Sequence, residues 1–224
     1  MTLYQFLTDD YNAEKYADLT FDFLLKITNE SERGAILIGG SKIDDYLEDL
    51  IKSIMLNKTK KYQNKLLKYP GPLSSFSGKI ELLFAFRIID ERLYNSLNIL
   101  RQIRNEAAHT YNEFSIQNIR NKLDVIYEFE EGFKDVSYKL AYKHLIRHKK
   151  ETLRNGLEEK GLADKVDYEQ LWSERIPDPE NNKTIQEHLT IWKLAYGLVF
   201  LCLKIELITN EYKITTVPNT VYTP

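Results

Sequence analysis

A single cysteine, Cys202, rules out a framework of internal disulfides and fits a reducing compartment. Net charge is as scarce as cysteine. Against 33 Asp plus Glu stand 31 Lys plus Arg, so the formal charge is -2 and no global pull toward nucleic acid or an acidic surface operates. Any basic surface must be local. Long apolar runs are missing too. The nearest is LTIWKLAYGLVFLCLKIELI, and Lys193, Lys204 and Glu206 interrupt it where a membrane span needs about 20 mostly apolar residues. A buried core helix is the expectation, with no membrane partner. The start, MTLYQFLTDDYNAEKY, lacks the basic and apolar regions of a secretion signal. These absences together predict a cytoplasmic protein.

Nine glycines and six prolines are few for 224 residues, and most fall between periodic segments. With abundant Leu, Ile, Lys, Glu and Tyr, this predicts an all-α helical bundle of about six to seven helices. The first helix is expected over residues 13–28, burying Tyr16, Leu19, Phe23, Leu24 and Ile27. Asn29 or Ser31 can cap a second helix whose inner face holds Ile43, Tyr46, Leu47, Leu50, Ile51 and Ile54. Gly39 and Gly40 inside it each cost about 1 kcal/mol relative to Ala, which points to a close helix crossing there. Asp44, Asp45, Glu48 and Asp49 are spaced like paired carboxylates and equally like the solvated face of an amphipathic helix.

NKTKKYQNKLLKYPGPL reads as a lysine-rich linker into a third helix capped by Ser75 or Ser77. Asp90 caps a fourth, DERLYNSLNILRQIRNEAAH. Beyond TYNEF a shorter helix is expected around Ile116 to Tyr127, then an acidic turn and a long helix from about Tyr138 to Glu159. A loop with a short helix follows, and a last core helix over about Thr184 to Asn210. In domain terms, residues 1–135 form a helical core, residues 136–213 form C-terminal helices packing on it in one compact unit, and residues 214–224 form an extended or disordered tail.

The fourth helix carries the densest chemistry. At about 100° per residue, Leu93, Leu97, Leu100 and Ala107 form an apolar stripe with Arg104 in its middle. A charge placed there must find a partner, reach water or border an interface. Arg101, Asn105 and His109 stack at i, i+4 steps on the neighbouring polar side. An arginine fork holds a phosphate and stabilises growing charge, a histidine moves protons near neutral pH, and an asparagine orients either. Those roles suit RNA cleavage without a metal. A helix that simply ends on a histidine, with Arg104 in a structural ion pair, has the same pattern.

Three blocks in order, SERGAILIGGSKIDDYLEDLI, PGPLSSFSGKIELLFAFRIID and LRQIRNEAAHTYNEFS, resemble the mannitol operon repressor (MltR-like) family of helical bacterial proteins. The likeness covers roughly residues 18–119. The third block is also similar to the Arg-x4-6-His signature of the HEPN superfamily, many of whose members are dimeric ribonucleases of toxin-antitoxin and antiviral defence systems. The resemblance implies a homodimer, with Arg104 binding phosphate, His109 as acid/base and Asn105 in support, no cofactor, and a regulatory protein or antitoxin as a further partner. It equally implies the alternative of a non-catalytic regulator, since MltR-like proteins are described as regulatory, in transcription regulation for example.

Two further patterns lie on the long helix. Lys139, Lys143, Arg147, Lys150 and Arg154 share a face that could track an RNA backbone, or be the wet side of a helix whose Tyr138, Tyr142, Leu145, Leu153 and Leu157 face the core. His144 and His148 have the i, i+4 spacing of a metal pair, but no carboxylate or cysteine pattern completes a site, so no metal is expected.

Overall fold

The computed structural model describes residues 22–109, 111, 114–176 and 182–215. It is all-helical, with no strand among the described residues. Residues 22–28 (α1) are helical. They are followed by α2 (Glu32–Ile54), α3 (Lys60–Leu67), α4 (Phe76–Ala85), α5 (Glu91–His109), α6 (Arg120–Ile126), α7 (Phe133–Glu159), α8 (Tyr168–Arg175) and α9 (Lys183–Thr215). These nine stretches among the described residues exceed the expected six to seven because α3 is a short helix within what read as a linker, and because the short helix expected in the loop after α7 is counted as α8.

Local chemistry sets the helix starts. Ser31 accepts a hydrogen bond from the Gly34 amide at 3.1 Å, Ser75 from Gly78 at 3.1 Å, Asp90 from Leu93 at 2.8 Å and Asp167 from Gln170 at 3.0 Å. Each cap satisfies an amide that the helix itself leaves unpaired. Leu24 and Ile27 of α1 are buried as expected, whereas Tyr16 and Leu19 lie outside the described residues.

α9 is the axis of the bundle. Every residue from 194 to 203 is buried, so this helix is apolar on all sides and must be surrounded. Its most extensive packing is against α2, then α7. Gly39 of α2 takes the Leu198 side chain where a Cβ would stand, and Gly197 of α9 takes the Tyr127 ring in the same way. Gly40, next to Gly39, faces α5 instead: a Cβ there would lie 2.8 Å from Cδ of Arg104. One glycine pair thus seats two different helices on α2. No helix among the described residues is long and apolar enough to cross a membrane.

Two boundaries and one helix face differ from expectation. α7 begins at Phe133, five residues before Tyr138, because Gly132 at φ 75° ends the acidic turn and Phe133 is then drawn into the core against Phe129 and Phe200, at 4.7 and 4.5 Å between ring centroids. α9 continues to Thr215, so residues 214 and 215, assigned to the tail, are helical. The inner face of α7 is Phe133, Ser137, Ala141 and Leu145, not the stripe containing Tyr138, which is 41% exposed. Small residues at 137 and 141 let the bulky α9 approach closely.

Candidate functional site

α5 delivers Arg104, Asn105 and His109 on one regular helix that ends at His109. Leu93, Leu97, Leu100, Ile103 and Ala107 anchor it through their buried side chains, and Ser96 donates to the Val125 carbonyl at 3.1 Å. Arg104 stays half-buried. Its methylenes run over Gly40, and its guanidinium carbon sits 5.7 Å from the centre of the Phe76 ring, at the start of α4. No carboxylate pairs with it among the described residues. Among the described residues, a cation–π contact with Phe76 is what meets this charge.

Asn105 and His109 are exposed, and neither has a hydrogen-bond partner among the described residues. Because α5 is a regular helix, His109 projects about 140° away from Arg104 around the axis. The structure joins Arg104 to Gly40 and Phe76 and leaves Asn105 and His109 on the surface. Upstream on the polar row, Arg101 donates to Asn98 at 3.2 Å.

The α7 stripe divides into two halves. Lys139 and Lys143 are exposed. Arg147 pairs with Glu151 on its own helix at 2.9 Å, Lys150 with Glu169 of α8 at 3.1 Å, and Lys150 also lies over the Trp172 ring while Arg154 lies over Tyr168. α8 thus covers the C-terminal half of the stripe.

His144 and His148 turn toward α9. His144 Nδ1 and the Tyr196 hydroxyl share a hydrogen bond of 2.6 Å, and the His148 ring lies 5.8 Å from Trp192. Burial, then the nearby Lys143 and Arg147, lowers the His144 pKa. Burial likewise pushes the Tyr196 phenol up, so it remains a donor. This pair joins helices. Among the described residues no group of His, Cys, Asp and Glu could hold a metal ion. Cys202 is buried and its thiol is pushed up to about 12, first by burial, which makes it a packing residue.

The acidic row of α2 is split. Asp45 and Asp49 are exposed, but Asp44 and Glu48 receive Lys79 of α4 at 2.9 and 3.4 Å, and Lys79 is only 3% exposed. Burial acts to raise the Glu48 pKa, yet Lys52 and Lys79 outweigh it and hold the carboxyl below its usual value. Sequence reading missed this cluster, because 35 and 31 residues separate the partners. The one available signal was a lysine one position before Ile80 on an apolar helix.

No protein-family model matches the chain, and no curated protein or solved structure matches it significantly.

Proposed function

We propose that this chain is a HEPN-like, metal-independent endoribonuclease that works as a homodimer, in a defence or toxin-type system. The observation that supports the reading is Arg104: a half-buried guanidinium with no carboxylate partner among the described residues, seated where Gly40 gives up its side chain to make room. A cation held this way keeps its hydrogen-bonding fork available for a phosphate. In the proposed reaction His109 takes the proton from an RNA 2′-OH. The 2′-oxygen attacks the adjacent phosphorus, the 5′-oxygen leaves as its proton is supplied by an imidazolium of the paired His109 residues, and a 2′,3′-cyclic phosphate results. Arg104 stabilises the charge on the phosphoryl oxygens and Asn105 orients the group beside it. Within one chain Arg104 and His109 diverge, so the reading needs two copies whose α5 ends meet in one cleft.

A second reading, a non-catalytic MltR-like regulator that binds another protein, is favoured by a different surface. Phe84, Ile88 and Ile89 border an open groove of about 800 Å³ that Lys204 and Ile208 of α9 complete. Phe84 is 36% exposed there, an apolar surface of the sort that partner proteins cover.

Incubation of the purified protein with single-stranded RNA in EDTA separates the two. Cleavage leaving cyclic phosphate ends, reduced by about 10² to 10⁴ in His109→Ala and by a similar factor in Arg104→Ala, supports the nuclease. Undiminished cleavage by folded His109→Ala protein, or none by the wild type, returns the chain to the regulator.

A further inference from the structure

Between Leu50 and Ile80 the chain carries seven lysines and no Asp, Glu or Arg, in a protein whose net charge is -2. Three of the seven have structural partners: Lys52 with Glu48 and Asp49, Lys79 with Asp44 and Glu48, and Lys58 with the carbonyls of Lys52 and Ser53 at the end of α2. The other four, Lys60, Lys61, Lys65 and Lys68, are exposed and pair with no carboxylate among the described residues.

Their arrangement is not that of an ordinary wet face. At about 100° per residue, Lys60, Lys61 and Lys65 lie within an arc of about 140° on α3, and Lys68 follows as its C-cap. Leu66 lies on the opposite arc and Leu67 beside Lys60 at its edge, both packed against the core. Two lysines open α3, which has no acidic residue in its first turn and no side-chain hydrogen bond from its cap, Thr59. Cations at a helix N-terminus oppose the helix dipole, and a helix of eight residues has little stability to spare. Helix formation alone selects against these residues. Local rules broken without a structural return mark functional surface.

Exposed aromatic rings accompany the lysines: Tyr62, 43% exposed, lies among them in sequence, and Tyr69, 90% exposed, directly follows Lys68. The turn that follows is tightly built. The Gly71 amide donates to Lys68 at 2.6 Å, Leu73 to Leu66 at 2.9 Å and Ser74 to Gly71 at 3.1 Å, and a Cβ at Gly71 would collide with the Lys65 and Leu66 carbonyls. It leads to Ser75 and Phe76, the ring under Arg104.

We propose that α3 and Tyr69 form a docking surface for single-stranded nucleic acid, with Lys60, Lys61, Lys65 and Lys68 on backbone phosphates and Tyr62 and Tyr69 stacking on bases. Charge complementarity commits the surface to a polyanion, and exposed rings beside the cations suit unpaired bases. An anionic bilayer fits less well, because the leucines an inserting helix would need are turned inward. The inference deepens the ribonuclease reading by giving its substrate a landing surface, but it concerns binding alone.

Fluorescence anisotropy on the full chain tests it, with labelled RNA and DNA single strands of about 20 nucleotides, the corresponding duplex, and vesicles containing phosphatidylserine. For single strands, log K should fall against log salt with a slope of about -2.8, and each Lys→Gln change should remove about 0.7 of it. K60E/K61E/K65E/K68E should lose more than about 100-fold at low salt, and Y62A and Y69A about tenfold each. RNA and DNA arms of similar affinity assign the contacts to phosphate and base faces; RNA alone adds the 2′-OH. Undiminished single-strand binding in the folded quadruple variant, equal affinity for duplex, or binding to vesicles alone overturns the proposal. Single-strand binding through α3 without cleavage leaves it standing and removes only the nuclease reading.

Discussion

On α7, Arg147 leans on Glu151, Lys150 on Glu169 and Trp172, and Arg154 on Tyr168, whereas on α3 Lys60, Lys61, Lys65 and Lys68 meet no carboxylate among the described residues. Both surfaces look alike as rows of basic residues. What separates them is the neighbour: α8 folds over the end of α7, while no carboxylate among the described residues meets the lysines of α3. A basic stripe whose charges are already answered loses much of its gain in meeting a phosphate, since an existing contact must break first. Unanswered charges release their counterions in full.

Several substitutions sharpen this contrast. Lys79 belongs by sequence to the lysine-rich segment but by structure to the core, so its removal should have the largest effect on stability. Lys79→Met leaves Asp44 and Glu48 facing each other and should cost about 3 kcal/mol, the low end for a broken buried pair because the two carboxylates keep 22% and 28% of their side-chain exposure. Urea unfolding monitored by circular dichroism measures it. A loss under about 1 kcal/mol would put Lys79 among the surface lysines.

The next effect lies where α7 meets α9. His144 has its pKa lowered in the folded chain, so the unfolded chain binds more protons below the ordinary value of 6.5. Its contribution is complete above that value and is lost as pH falls through the lowered folded pKa. Thermal melts between about pH 7.5 and 5 should therefore show a falling melting temperature, and His144→Gln should flatten the fall relative to the wild type. A slope identical in the variant would show that His144 does not report on this interface.

The smallest effects test the two stripes directly. Arg147→Gln breaks an exposed pair within one helix and should change stability by about 0.5 kcal/mol or less. Lys60→Glu should do the opposite of harm to folding, gaining about 0.3 to 1 kcal/mol by placing an anion at the helix start, while weakening nucleic-acid binding. A protein made more stable and less able to bind would separate the purpose of α3 from its folding. Equal binding in Lys60→Glu and the wild type would merge the two stripes again.

Much of the fold was legible because its causes are local. Caps at Ser31, Ser75 and Asp90 are decided within three residues, and the buried row Ile43, Leu47, Leu50 and Ile51 follows from helical period alone. The glycine pair announced a close approach, but neither Leu198 nor Arg104 could be named as the visitor, since both arrive from distant helices. α3 was read as linker because lysines dominate its composition, and only the inward packing of Leu66 and Leu67 makes it a helix. The inner face of α7 was misread for a related reason. Tyr138 and Tyr142 are the more apolar choice, yet Ser137 and Ala141 are the ones that a bulky helix can approach.

For the candidate site, α5 by itself determines that Arg104 sits in an apolar stripe and that His109 lies about 140° around the helix, because both follow from the geometry of one regular helix. Helix type, caps and the apolar axis of α9 belong to the same class of property, set by interactions a few residues long. Only the tertiary structure decided which charges are answered: Arg104 by the Phe76 ring, Lys79 by Asp44 and Glu48, the end of the α7 stripe by α8, and the lysines of α3 by no carboxylate among the described residues. A charge acts over space, and its cost or use depends on whatever distant segment the fold brings within a few ångströms, which no local pattern encodes.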